Sequence, residues 1–270
     1  MRREALRSGF SVAAFVAVLA VPFLYTPSAS SADAVLADAV VIVSADAEWT
    51  PVREFLSHLP AGISPFGEFI TAEVAAAGKK RAVVYLHGGW GKISAAASAQ
   101  YAIDRWRPAL LVNLGTCGGF EGRVKPNDVL LVRKTVVYDI YELMGDAREA
   151  IADYSTTLDL AWLKTPYPAP VIDAVLVSAD RDLRPEDIPG LAKTYGAVAA
   201  DWESGAIAFT AKRNRVPCLI LRAVSDIVGR GGSDAYGNLG LFRERAAGLM
   251  KSLINGLPRW LDAANAVFSR

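Results

Sequence analysis

Carboxylates placed where apolar runs end are the residues of this chain best suited to chemistry. Glu203 stands at the head of a helical pattern, and Asp226 follows the apolar run Cys218–Val224, both inside the stretch AADWESGAIAFTAKRNRVPCLILRAVSDIVG. That stretch reads as an acidic turn, a helix of about three turns and a buried strand. Ligands of an α/β sheet bind outside the carboxyl ends of its strands, so two acids placed this way can converge on one small molecule. Asp46 and Glu48 in VSADAEWTP, and Asp180 and Asp182 in SADRDL, occupy comparable places after other apolar runs. Each alone has a structural explanation, because an acid in a first helical turn complements the dipole and a strand-end aspartate caps a turn. Their recurrence at strand ends is what points to a site.

Glycines add to that pattern. LGTCGGF (Leu114–Phe120) places Gly115, Gly118 and Gly119 directly after a buried strand, where backbone N–H groups can approach a ligand closely or simply form a tight turn. The spacing is neither a dinucleotide fingerprint nor a Walker loop. Gly88, Gly89 and Gly91 in HGGWGK are turn residues. With only His58 and His87 there is no histidine-rich metal cluster and no nucleophile elbow, so neither metal nor cofactor is expected. Carboxylates are left as the acid–base apparatus.

These acids must be positioned by a sheet covered on both faces, because from Val35 onward short apolar runs alternate with helical patterns. Strands are predicted at Ala37–Ala45, Glu68–Val74, Arg81–His87, Leu110–Leu114, Asp128–Tyr138, Ala174–Ala179 and Cys218–Val224. Thr116–Gly119 is expected to be the loop leaving the Leu110–Leu114 strand. Helices are predicted at Trp49–Leu59, at Gly91–Trp106 with Ile93, Ala97, Tyr101 and Trp106 toward the sheet, at Pro185–Tyr195, and at Leu239–Phe268 with a bend or break at Gly256 and Pro258. Ile140–Pro170 reads as an irregular loop with a short helix.

The chain has 270 residues, 52% hydrophobic and 21% charged, which suits one α/β domain. A net charge of +1 without a polybasic run argues against nucleic acid as a partner. Two cysteines, Cys117 and Cys218, both in or beside apolar strands, read as buried thiols rather than a disulfide framework. At the N-terminus, Arg2, Arg3 and Arg7 precede the apolar run Phe10–Tyr25 and the small, polar segment Thr26–Ala34. That is the order of a secretory signal peptide, predicted over residues 1–34 with cleavage about 30–34; an uncleaved anchor is the alternative. The 35–270 domain is then expected to be periplasmic or secreted, with no stable membrane association after cleavage.

VNLGTCGGF, VLVSADRDL, AADWESGAIA and LRAVSDIVG, preceded by SADAEW, occur in an order and spacing that resemble the nucleoside phosphorylase and nucleosidase superfamily. The nearest resemblance is to the 5′-methylthioadenosine/S-adenosylhomocysteine nucleosidases. It spans Ala37–Lys251. The resemblance implies a three-layer α/β/α sandwich with a mixed, partly barrel-like central sheet, and a homodimer or larger homo-oligomer. It also assigns roles. Asp226 would give a proton or hydrogen bond to purine N7, with Ser225 orienting it, and Glu48 would activate the attacking water. Glu203 would hold the ribose hydroxyls, Thr116 would lie near the ribose and the water, Trp202 against the sugar, and the Leu183 backbone against the base; Gly118 belongs to the same glycine motif. The phenylalanine that stacks on the purine in the family is replaced by Asp182, or by Arg181 if the alignment slips by one residue.

The chemistry implied is hydrolysis of the N-glycosidic bond of a purine nucleoside, releasing free purine and a ribose moiety. Breaking that bond builds positive charge on ribose and negative charge on the purine, so Asp226 must carry a proton when Glu48 is ionised. Phosphorolysis is the neighbouring alternative. The phosphate-binding arginines of related phosphorylases are replaced here by Asn113 and by the segment holding Asp46 and Glu48, and a carboxylate would repel phosphate. Trp202, Tyr236, Leu241, Phe242 and Tyr141 are candidates for an apolar 5′ pocket, beside the glycine-rich insertion Gly229–Asn238. A general purine nucleosidase acting on an unmodified 5′-hydroxyl, and a non-catalytic nucleoside-binding or storage protein, remain alternatives.

Overall fold

The computed structural model describes residues 36–269; the signal-peptide expectation lies outside the described residues. Ten strands form one mixed sheet. They are β1 (Ala39–Val43), β2 (Ala61–Ile63), β3 (Glu68–Ala76), β4 (Lys79–His87), β5 (Leu110–Phe120), β6 (Val129–Val137), β7 (Ser155–Thr157), β8 (Ile172–Ser178), β9 (Ala199–Asp201) and β10 (Cys218–Val228). The path runs β10-β6-β8-β9-β5-β1-β4-β3-β2, and β10 also pairs with β5. Strands β5, β9, β8, β6 and β10 therefore close on themselves, while β1, β4, β3 and β2 extend one wall as an open sheet. This is the mixed, partly barrel-like sheet expected.

The helices are α1 (Asp46–Phe55), α2 (Gly91–Trp106), α3 (Ala147–Asp153), α4 (Ile188–Tyr195), α5 (Ser204–Arg213) and α6 (Leu239–Ala263), followed by a 3-10 turn at Asn265–Ser269. Side chains alternate across each central strand, so consecutive residues feed different layers. On one face Val41, Val43, Val112, Leu114, Leu219 and Leu221 pack with Trp49 and Val52 of α1 and Met250, Ile254 and Leu257 of α6. On the other, Val40, Ile42, Leu111 and Ile220 pack with Ala95, Ala99 and Ala102 of α2 and Ile207 and Ala211 of α5. Runs such as AVVIV are apolar at every position because both faces are covered.

Several expectations are corrected. The α2 face toward the sheet is Ala95, Ser98, Ala99, Ala102 and Trp106, whereas Ile93 is 85% exposed. Small alanines let α2 lie close to the sheet and to α5, which turns the larger Ile93 outward. Thr116–Gly119 is not a loop: β5 continues to Phe120 because β10 offers it a parallel partner as far as Val228. For the same reason Asp226 lies inside a strand rather than beyond its end, next to a register shift between Val224 and Asp226. Helix α1 starts at Asp46, earlier than Trp49, and α4 starts at Ile188, after Pro185, with Pro189 in its first turn. Helix α6 runs unbroken through Gly256 and Pro258, held by the buried Leu253, Leu257, Trp260 and Leu261 on its sheet-facing side.

Candidate active site

The exits of β1, β5, β8, β9 and β10 surround a cavity of about 780 Å³, within the usual range for a small-molecule site. Glu48, Thr116, Gly118, Leu183, Trp202, Glu203, Ser225 and Asp226 all line it. Thus the eight residues given catalytic or binding roles by the resemblance meet in one place, although they span residues 48 to 226.

Glu48 reaches the cavity from the first turn of α1 and is buried. Its Oε1 accepts hydrogen bonds from Thr116 N at 2.6 Å and Thr116 Oγ1 at 2.7 Å. Its Oε2 is buried and has no hydrogen-bond partner among the described residues. One oxygen is thus fixed in place while the other keeps its lone pairs for a proton, which is the arrangement a general base requires.

Beneath the acids lies Arg222, the largest fully buried side chain, in the middle of β10. Its Nη2 meets Asp201 Oδ2 at 2.8 Å and donates to Asn113 Oδ1 at 2.8 Å; its Nε donates to Ser204 Oγ at 2.8 Å. Glu48 Oε1 and Glu203 Oε2 each stand 3.9 Å from the guanidinium. Burial works against the arginine's charge, but Asp201, Glu48 and Glu203 outweigh it and hold the guanidinium more firmly protonated than usual. The partner of Arg222 across the parallel ladder is Gly115, where a Cβ would fall 1.9 Å from Arg222 Nη1. Gly115 therefore makes room for arginine within β5, rather than forming the tight strand-end turn or the ligand approach its motif allows. Gly118 does face the cavity, and a Cβ there would lie 3.9 Å from Asp226 Oδ2.

Glu203 sits at the N-cap of α5, and its Oε1 accepts the Gly91 N–H at 3.1 Å. Burial raises its pKa to about 8, with Arg222 opposing the shift and Asp201 and Glu48 adding to it. A carboxyl kept from water in this way has unmet acceptor capacity that sugar hydroxyls can fill. Asp226 is also buried. Its Oδ1 accepts from Ser225 Oγ at 2.6 Å, and Ser225 Oγ lies 3.2 Å from the Cys117 carbonyl. Its Oδ2 accepts from Ser233 Oγ, which comes from the segment after β10.

Aromatic surface completes the cavity. Trp202 stacks on Trp90 at 4.7 Å and 26°, and Phe66, Tyr236 and Phe242 line the wall. Of the residues put forward for an apolar pocket, Trp202, Tyr236 and Phe242 are present, whereas Leu241 and Tyr141 are not among the lining residues. Arg181 and Asp182 are both at the cavity, but Arg181 is paired with Asp187 at 2.9 Å. Asp180 turns away from the cavity to accept the Lys92 N–H at 2.7 Å, a structural role. His87 lies at the end of β4, stacked on Trp49 at 5.4 Å and 5°.

Sequence reading missed Arg222 and Asp201. A signal for the first existed: a charged residue in the middle of LILRAV, an otherwise apolar strand, is costly unless paired. Asp201 looked like one more turn acid. Its Oδ2 accepts from the Ser204 N–H and from the Ser204 hydroxyl, and its Oδ1 takes the Ser178 hydroxyl, so it satisfies the first N–H of α5 and neutralises Arg222 together.

The sequence profile of the family described as the Phosphorylase superfamily matches residues 38–257. A 5′-methylthioadenosine/S-adenosylhomocysteine nucleosidase from Geobacillus sp. (strain WCH70) is 25% identical over 233 residues, covering 81% of this chain and 98% of the relative. The nucleosidase of the same name from Buchnera aphidicola subsp. Acyrthosiphon pisum (strain APS) is 28% identical over 159 residues, covering 55% of this chain and 68% of the relative. Among solved structures, the 5′-methylthioadenosine/S-adenosyl homocysteine nucleosidase of Campylobacter jejuni superposes with a TM-score of 0.66 at 17% identity, covering 84% of this chain and 99% of its own. At that identity the likeness speaks for the fold.

Proposed function

This chain belongs to the phosphorylase superfamily, and on that premise we propose that it hydrolyses the N-glycosidic bond of a purine nucleoside, of 5′-methylthioadenosine/S-adenosylhomocysteine type. The observation that carries the reading is Glu48, with one oxygen fixed by Thr116 and the other buried and unpartnered, in a cavity shared with Asp226 and Glu203. In this reading Asp226 delivers a proton to purine N7 as the bond from ribose C1′ to the base nitrogen breaks, so the purine leaves neutral. Glu48 Oε2 takes a proton from water as its oxygen bonds to C1′. Glu203 accepts the ribose hydroxyls, and the Trp90–Trp202 stack flanks the sugar. Relatives bearing the methylthioadenosine/adenosylhomocysteine name support the substrate class.

Hydrolysis is favoured over phosphorolysis by the same observation. The backbone N–H and hydroxyl of Thr116, donors a phosphate would need, already serve Glu48, and Arg222 is engaged by Asp201, Asn113 and Ser204. A carboxylate at that point repels a phosphate oxygen. A purely binding or storage protein has no use for a base so arranged.

We further place the mature chain outside the cytoplasm, from the basic, apolar and small-residue order of residues 2–34, and read it as a homo-oligomer. Support for the latter is an exposed apolar group beside the cavity. Trp90 and Ile93 at the start of α2 and Tyr141, Leu143 and Met144 after β6 are all exposed, and Lys92 pairs with Asp139 between the two segments. Apolar clusters of this kind mark protein contacts.

The test is to incubate the purified chain with methylthioadenosine, adenosine and inosine, with and without phosphate, and to identify the sugar released. Free methylthioribose or ribose without phosphate is expected, with Glu48→Gln slowed on the order of 100-fold or more. Ribose 1-phosphate formed only with phosphate would overturn the hydrolytic reading, and no product from any nucleoside would favour a binding protein.

A further inference from the structure

We propose that Tyr236 supplies the aromatic surface on which the purine ring lies, which makes the glycine-rich segment 229–238 a wall of the base subsite. The proposal deepens the nucleoside reading above and rests on it. A purine whose N7 meets Asp226 needs a flat apolar neighbour, since its faces cannot be satisfied by hydrogen bonds. The residues leaving β8 do not offer one. Position 182 is an exposed acid, and Arg181 is held by Asp187 over the Tyr138 ring, 5.1 Å from its centroid. Trp90 and Trp202 are stacked on each other near Glu203 and so flank the sugar.

Tyr236 stands beside Asp226 instead. Its backbone N–H donates to Ser233 O at 3.1 Å, and the Ser233 hydroxyl donates to Asp226 Oδ2. Its own hydroxyl donates to the Leu183 carbonyl at 2.7 Å. The side chain therefore reaches from the segment that holds Asp226 through Ser233 to the exit of β8. Its pKa agrees with that position: burial first, then the charges of Asp226 and Asp182, push the phenol well above its usual value.

The segment is built rather than loose. Gly229 and Gly232 exchange backbone hydrogen bonds at 3.1 and 2.9 Å, and Asp234 pairs with Arg245 through two contacts of 2.8 and 2.6 Å. Gly232 and Gly237 on either side of the tyrosine adopt φ of 85° and 73°, which only glycine accepts without strain. A ring fixed at its backbone and at its hydroxyl loses little freedom when a base arrives, so stacking is gained at low entropic cost.

Calorimetric titration with free adenine, which carries no sugar, isolates this subsite. Tyr236→Ala should weaken adenine binding by about 10-fold or more, as expected for a lost base–aromatic stack, and Tyr236→Phe, which keeps the ring, should stay within roughly threefold. Both variants should keep the wild-type fold, checked by circular dichroism, because residue 236 is 40% exposed and lies outside the helices and strands. Adenine affinity unchanged in Tyr236→Ala, or an equal loss in Tyr236→Phe, would overturn the stacking role while leaving the nucleosidase reading intact. A wild-type chain that binds no adenine at all would sink both.

Discussion

Glu203 is a buried carboxyl whose environment works against the stability of the fold. Its carboxyl has an ordinary value of 4.5, and burial raises it to about 8 in the folded chain, where it faces Arg222 but also Asp201 and Glu48. Below pH 4.5 the group is protonated whether the chain is folded or not. As pH rises from there toward 8, the unfolded chain releases the proton and the folded chain retains it, so stability falls across that window. Glu203→Gln, which cannot ionise, should flatten this part of the curve. Melting temperatures of the two proteins followed from pH 4.5 to 8 should diverge, with the wild type falling more steeply, and parallel curves would show that the folded carboxyl titrates normally. Ribose hydroxyls donating to the ionised carboxylate would pull the same equilibrium the other way, so nucleoside binding should protect the wild type most near the upper end of the window.

At the scale of elements, the site is a product of the paired strands β5 and β10. Their parallel register sets Gly115 opposite Arg222 and Gly118 opposite Asp226, so a glycine stands wherever the neighbouring strand sends a functional side chain across. The register shift at Ser225 re-aims the strand where Asp226 enters the cavity. Gly115→Ala would drive a methyl to 1.9 Å from Arg222 Nη1 and 3.0 Å from Glu48 Oε2. Destabilisation of roughly 1–3 kcal/mol or more is expected from overpacking, together with loss of activity as Glu48 is displaced. Gly190→Ala in α4, where an added methyl would meet nothing within 4 Å and φ is not positive, is the control. It should be neutral or slightly stabilising, since alanine is favoured over glycine in a helix. Urea denaturation of the pair decides the matter: equal midpoints would mean that Arg222 moves aside freely.

At the scale of the whole molecule, the cavity and the exposed apolar group lie on neighbouring parts of the surface. Ile93 is turned outward by the close packing of the alanine face of α2, and its exposure is not needed for the fold. If this surface joins two copies, the purified chain should elute as a dimer in size-exclusion chromatography with light scattering. Ile93→Glu should then elute as a monomer with an unchanged melting profile at low concentration. A wild-type monomer at all concentrations, or an Ile93→Glu dimer, would remove this face from consideration. Among the described residues no helix is long and apolar enough to cross a membrane.

Much of this protein was determined locally. Apolar runs such as AVVIV and CLILRAV must be buried on both faces wherever they lie, so the three-layer arrangement follows from residue type. The order of acids after those runs carried Glu48, Glu203 and Asp226 into one expected site, because strand exits in such a sheet share an edge. What the tertiary structure alone decided depends on distant residues meeting. Thr116 fixes Glu48 across 68 positions of sequence, and Arg222 meets Asn113 across 109. LGTCGGF became strand instead of loop only because β10 came to lie beside it. Ile93 turned outward because its smaller neighbours pack better. Local pattern records what a residue can tolerate, while register and packing between far-apart segments settle which partner it has, and the site is made of such partners.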